Sequence, residues 1–206
     1  MPVSPAEPPT LVLASASPRR RELLRLIWPE SRTIVRPAAG FVEPPCPGGV
    51  SYAEAAAFVR DLAEAKAAAA FTSGGPVLAA DTLIVTDGGE PLGKPPEESP
   101  AYEAGVRRSL SLLSGREHAA VSGVCVRAGA DVRSLSVVTR VWFRDLAADE
   151  VERYAATGEP RGKAGAYAIQ GLGAAFVESV EGSLSNVVGL PVAETAALLA
   201  ECGLRP

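Results

Sequence analysis

Apolar and polar positions recur along this chain with two periods, and the changes of period mark its elements. Leu11 to Ala14 is a short continuous apolar run of strand length. Pro18 to Ile27 follows the helical period, with Leu23, Leu24 and Ile27 on one face and start signals from Ser17 and Pro18. Thr33 to Val35 reads as a second short strand. Pro37 to Gly49 is rich in proline and glycine and reads as a loop, with Glu43 inside it. Ser51 to Phe71 is a strong helix: Ser51 caps it, Glu54 completes a capping box, and alanines fill its end. Val77 to Thr86 is apolar and partly β-branched, and Asp87-Gly88-Gly89 turns it into a hairpin.

The second half continues the mixture. A helix begins at Ser99 or Pro100 and runs to Leu113. Strands at Ala119 to Val126 and Leu135 to Phe143 flank a turn at Gly129-Ala130-Asp131. Ala147 to Ala156 is a helix broken at Gly158, Gly162 to Gly173 is glycine-rich, and Ala175 to Val180 is a strand. A last turn and helix follow Gly182-Ser183 and Pro191. There is no internal repeat and no long linker. The pattern predicts an α/β fold with at least one antiparallel part. Met1 to Pro9 holds four prolines and has neither a basic nor an apolar signal region. It is expected to be a disordered tail, which leaves residues 10–206 as a single domain.

Composition narrows the picture. The 206 residues are 47% hydrophobic, much of it alanine, with a mean hydropathy of +0.15. That is ample for a core. A net charge of -4 argues against general nucleic-acid binding but leaves room for one local basic pocket. No apolar run approaches the roughly 18 residues of a membrane span. Cys46, Cys125 and Cys202 are widely spaced, so neither a zinc site nor a disulfide framework is suggested, and a reducing cytoplasm is the natural home. His118 is the single histidine. A His-rich metal site is thereby excluded, and a Ser-His-Asp or Cys-His enzyme is disfavoured.

Ser15, Ser17 and Arg19-Arg20-Arg21 are the first candidates for chemistry. Cations at a helix start oppose the helix dipole unless an anion sits among them, and helix N-termini bind phosphate. Asp81 lies in the apolar strand Leu78 to Val85. It admits three readings: a buried carboxylate bonded to backbone amides, a strand interrupted at the surface, or a metal ligand or general base at a strand end. Gly88 to Lys94 has P-loop spacing, but Pro95 follows where a Ser or Thr should hold Mg²⁺, so a Walker motif is rejected. Lys94 is either a solvated loop lysine or a cation fixed between Gly93 and Pro95. Read alone, Lys66 is a surface lysine on an alanine-rich helix. Arg161 to Gly165, with Lys163, is a basic segment that either closes over phosphate or is simply a loop. Gln170 is a turn residue or an amide that reads a base edge. His118 reads as structural, and Trp28 and Trp142 as core or interface.

These pieces together resemble a known family. Ser15-Ala16-Ser17-Pro18-Arg19-Arg20, Leu62 to Ala67, Ala80-Asp81-Thr82, Leu92-Gly93-Lys94-Pro95, Leu113 to His118, Lys163 to Gly171 and Asn186 to Pro191 occur in the order found in the Maf family of nucleoside triphosphate pyrophosphatases. The resemblance implies a mixed sheet with flanking helices and two lobes around a central cleft, inosine triphosphatase-like, and often a homodimer. It implies hydrolysis of a nucleoside triphosphate to monophosphate and pyrophosphate with a divalent cation, Mg²⁺ or Mn²⁺.

By the same resemblance Asp81 is the proton acceptor, and Glu43 with Asp81 holds the metal. Arg19, Thr82 and Gln170 set base preference, in the combination of the branch acting on dTTP and UTP. Ser15, Arg19, Arg20, Lys66, Lys94 and Lys163 face the phosphates, while Arg21 is placed on the outer surface. Gly162 stands where family members often have Asp. The alternatives are a pyrophosphatase for 7-methyl-GTP or another modified nucleotide, and a nucleotide-binding regulator of septum formation with little turnover.

Overall fold

A computed structural model describes residues 9–72 and 75–206; most of the expected N-terminal tail lies outside them. The chain forms strands β1 (Leu11–Leu13), β2 (Thr33–Val35), β3 (Val77–Thr86), β4 (Pro91–Leu92), β5 (Glu117–Ala128), β6 (Asp131–Phe143) and β7 (Val177–Glu181). Its helices are α1 (Pro18–Leu24), α2 (Tyr52–Ala70), α3 (Ala101–Leu113), α4 (Ala148–Ala156), α5 (Leu184–Val188) and α6 (Val192–Glu201). The strands make one open mixed sheet in the order β2-β1-β3-β5-β6-β7, with β4 beside β3. β1 pairs in parallel with β2 and β3, and the remaining pairs are antiparallel. Among the described residues no helix is long and apolar enough to cross a membrane.

Element boundaries moved where local signals were incomplete. α1 ends at Leu24 rather than Ile27: Leu26 and Ile27 donate to carbonyls three residues back, and Pro29 disfavours helix at the residue before it. β5 and β6 extend to Ala128 and Asp131, because ladder pairing continues through polar positions up to the Gly129-Ala130 turn. Trp28 is buried in the core, whereas Trp142 is half-buried on β6. In α2 the capping box forms as the sequence demands: the Ser51 hydroxyl accepts from the Glu54 amide, and the Glu54 carboxylate accepts from the Ser51 amide.

The period of two along β3 and β5 sorts their side chains onto two faces. Val77, Ala79, Leu83 and Val85 meet α2 with Ala119, Val121 and Cys125. α2 lies almost on the sheet at Gly123, where a Cβ would sit 2.1 Å from the Val59 carbonyl oxygen. The opposite face carries two cores. One joins Leu11, Leu13, Leu78, Ala80 and Val124 to α1 and α6; the other joins Ile84, Ala120 and Val141 to α3 and α4. Between these cores lies a polar rung, Thr82 opposite Ser122, and on the α2 face its neighbour is Asp81 opposite Gly123.

The outer edge of β3 explains why a cleft opens here. Along this edge of β3, β1 reaches Val77 and Leu78 and β4 reaches Ile84 and Val85. The stretch between carries Asp81 and Thr82 past an open edge. A cleft of about 710 Å³ lies against it.

Candidate active site

β1 runs out into Ala14 and the buried Ser15, and the chain then enters α1 through Ser17 and Pro18. This tight exit folds Arg20 back into the cleft. Its Nη1 donates to Ser15 Oγ at 3.2 Å, its Nη2 to Thr82 Oγ1 at 3.1 Å and its Nε to the Gly189 carbonyl at 3.0 Å. All three acceptors are neutral. Among the described residues no carboxylate forms an ion pair with Arg20. Burial lowers the pKa of the guanidinium, and the nearby charges of Asp81 and Glu43 oppose that shift.

One residue along β3, the opposite face holds a charged triad. Lys66 Nζ lies 2.5 Å from Asp81 Oδ1 and 2.5 Å from Glu43 Oε1. Lys66 is buried, which overturns its reading as a surface lysine. It sits on the inward stripe of α2 with Val59, Ala63, Ala67 and Ala70, so the helical phase already carried the signal that its alanine-rich surroundings hid. Asp81 is buried through the same geometry. Its partner is a lysine, not the backbone amides of the first reading, and Asp81 Oδ2 makes no hydrogen bond among the described residues. Two carboxylates around one ammonium leave a local surplus of negative charge.

The remaining candidates line the far wall. Arg19 reaches across the cleft and donates to the Gly162 carbonyl at 3.2 Å. Lys163 donates to the Glu159 carbonyl; burial and the charge of Arg19 lower its pKa against the pull of Glu159. Lys94 and Gln170 are exposed on the cleft wall with no side-chain partner among the described residues. Every site residue expected from the sequence therefore lines this one cleft: Ser15, Arg19, Arg20, Glu43, Lys66, Asp81, Thr82, Lys94, Lys163 and Gln170. Arg21 stands apart, paired with Glu30 on the surface at 2.6 Å.

Sequence reasoning missed the scaffold beneath these groups. Glu159 accepts from the amides of Leu172 and Gly173 and from the Tyr154 hydroxyl, which closes the loop that presents Gln170. Gly171 leaves room for it: a Cβ there would lie 2.2 Å from the Glu159 carboxylate and would push that carboxylate aside. Gly165, at φ +69°, packs on Ile84 and donates to the Gly93 carbonyl, which ties the Lys163 and Lys94 loops together. Ser122 was also missed; its position in an apolar strand was the available signal.

His118 lies outside the cleft. Its Nε2 meets the Tyr167 hydroxyl at 2.9 Å, and Phe143 and Tyr167 pack edge-on against the ring. Burial drives its pKa down to about 3, so the imidazole is neutral and structural.

Among the described residues no group of three or more His, Cys, Asp or Glu could hold a metal. The convergence of Glu43 and Asp81 on one point nonetheless suits a hard divalent cation. Mg²⁺ is commonly held by one or two carboxylates, with phosphate oxygens and water completing the shell.

An open mixed α/β sheet, with a cleft of cationic walls and a carboxylate pair against the edge of β3, defines a protein suited to a polyanion. The chain belongs to the Maf family: the model for "Maf-like protein" matches residues 10–202. It is 49% identical to a dTTP/UTP pyrophosphatase of Anaeromyxobacter dehalogenans, covering 95% of each chain. It is 49% identical to a protein of the same name from Myxococcus xanthus, covering 97% of this chain and 95% of that one. The protein of that name from Bordetella parapertussis is 44% identical, with the same coverage. Among solved structures, a HAM1 protein from Coxiella burnetii overlays with a TM-score of 0.47 at 14% identity, over 93% of this chain and 98% of the other.

Proposed function

We propose that the protein hydrolyses nucleoside triphosphates, chiefly dTTP and UTP, to the monophosphate and pyrophosphate. One observation carries this reading. A carboxylate pair sharing one lysine, gathered at Asp81, and a guanidinium without an ion pair, held by the neighbouring Thr82, face one cleft at adjacent positions of β3. A metal–triphosphate complex offers the opposite charge to each. Family membership and the names of the relatives support the substrate.

In this reading Glu43 and Asp81 hold a divalent cation, Mg²⁺ or Mn²⁺. When bound, the metal supplies Lewis acidity and charge neutralisation at the phosphates. Asp81 Oδ2 accepts the proton of the water that attacks the α-phosphorus; the bond to the bridging oxygen breaks and pyrophosphate leaves. Ser15, Arg20 and Lys66 line the floor, and Arg19, Lys94 and Lys163 the walls, so the charge that grows on the leaving group meets cations from both sides. Arg19, Thr82 and Gln170 set the preference for a pyrimidine base. Gln170 has a free amide to read a base edge, and Thr82 takes part through its bond to Arg20.

The same proposal places the protein in a reducing cytoplasm, in keeping with its three free cysteines. It further makes the protein a homodimer without nucleic-acid or membrane partners. The edge strand β2 exposes Ile34 and Val35, which favours self-association, and light scattering of the purified chain tests it.

A panel of dTTP, UTP, CTP and modified nucleotides, assayed for pyrophosphate with Mg²⁺ or Mn²⁺ present, tests the activity. Pyrophosphate with monophosphate in equal amounts from dTTP and UTP is expected. Release of orthophosphate, or binding without turnover, would overturn the proposal.

A further inference from the structure

On the face of β5 away from α2, His118, Ala120, Ser122, Val124 and Val126 point into the core. Ser122 is fully buried between two apolar cores, where the strand pattern asks for a residue such as Ala or Val. A buried hydroxyl without a partner is costly. The side-chain bond of Ser122 is to Thr82 Oγ1, 2.8 Å away and directly across the β3–β5 ladder.

Thr82 Oγ1 has one proton and two lone pairs. Arg20 Nη2 donates to it at 3.1 Å, and the Gly189 carbonyl lies 3.4 Å from it. The arrangement that uses every proton has Ser122 donating to Thr82 and Thr82 donating to Gly189. Both lone pairs of Thr82 are then filled, one by Ser122 and one by Arg20. The Thr82 hydroxyl is saturated by the protein, so its effect on a ligand passes through Arg20.

Arg20 in turn spends three of its five N–H groups on Ser15, Thr82 and Gly189. The two that remain are aimed by those three bonds. We propose that Ser122 is a positioning residue for Arg20: through Thr82 it fixes the plane of the guanidinium, and with it the direction of the two N–H groups left for a phosphate. This rests on the polyphosphate reading of the cleft and adds to it a residue that touches no ligand.

Inorganic tripolyphosphate separates this inference from the activity, because it requires binding and no turnover. Its dissociation constant, measured by calorimetry, is expected to rise about three- to tenfold in Ser122→Ala, the loss appropriate to one hydrogen bond in a charged network. In a Thr82→Val background the same Ser122→Ala change is expected to add less than about twofold, since the path to Arg20 is already cut. The Arg20 Nε–H, followed by NMR, is expected to exchange faster with solvent in Ser122→Ala. Unchanged tripolyphosphate affinity, an equal loss in both backgrounds or an unaltered Nε–H exchange rate would overturn the role. A wild-type chain that binds tripolyphosphate with this coupling but releases no pyrophosphate from any nucleotide would sink the proposed activity and leave the role of Ser122 standing. Failure of the wild-type chain to bind tripolyphosphate would overturn the role of Ser122, while the nucleotide panel would still decide the activity.

Discussion

On one face of β3, Asp81 and Glu43 share the ammonium of Lys66. On the other face, one residue along, Arg20 is held by Ser15, Thr82 and a carbonyl. Both arrangements are partly buried, yet they solve opposite problems. The first has more charge of one sign than its lysine can neutralise. The second leaves a cation without a charged partner and orients it with neutral oxygens. Alternation along a strand is what allows two such environments to sit at adjacent positions. A ligand that carries both signs, as a metal-bound polyphosphate does, completes both at once.

The comparison breaks most sharply at Asp81. Asp81→Asn keeps the shape and removes the basicity, so turnover is expected to fall about a thousandfold, within the range for a lost general base. Tripolyphosphate affinity should change far less; turnover near normal would remove Asp81 from the reaction.

Lys66→Met tests the charged face as structure. Removing one partner of a buried pair costs about 3–5 kcal/mol, and the half-exposed Glu43 reduces this to about 2–3 kcal/mol. Urea unfolding checks it. Mn²⁺ should raise the melting temperature of this variant more than that of the wild type, since the two carboxylates are then uncompensated. A variant as stable as the wild type would mean that the carboxylates do not converge in solution.

The arginines sharpen the neutral face. Arg20→Ala is expected to lower kcat/KM about a hundredfold, the scale of a charge-assisted contact. Arg19→Ala is expected to cost about tenfold, and Arg21→Ala less than about twofold, since that residue pairs with Glu30 outside the cleft. Equal effects across the three would dissolve the distinction between inner and outer arginines.

Further along the neutral face, His118 is read by the pH dependence of stability and leaves turnover at neutral pH alone. Its folded pKa of about 3 is below the ordinary 6.5, so the unfolded chain binds the proton more readily. The stabilisation is complete above 6.5 and is lost as the pH falls from there toward 3, at about 1.4 kcal/mol per pH unit within the window. His118→Gln should remove one proton from the pH slope of unfolding between those limits. A slope equal to that of the wild type would place a charged or solvated His118 in the folded state.

Periodicity and capping were enough to find the helices, the β3 hairpin and the long β5–β6 pair, because those signals act within a few residues. The ordered motifs likewise named the residues that line the cleft. The motif order put Lys66 in the cleft, but its own neighbours did not: they are alanines, and the approach of α2 to the sheet at Gly123 is what turns that stripe inward beside Asp81. The roles of Ser122 and Glu159 could not be read for a related reason. Each acts on a group far away in the chain, Thr82 across the ladder and the Leu172–Gly173 amides across a loop. The sequence by itself determined which elements form and which chemical groups are present. The tertiary structure decided which groups share a charge and which way each one points, because burial and hydrogen bonding between distant segments exist only once the sheet has been assembled.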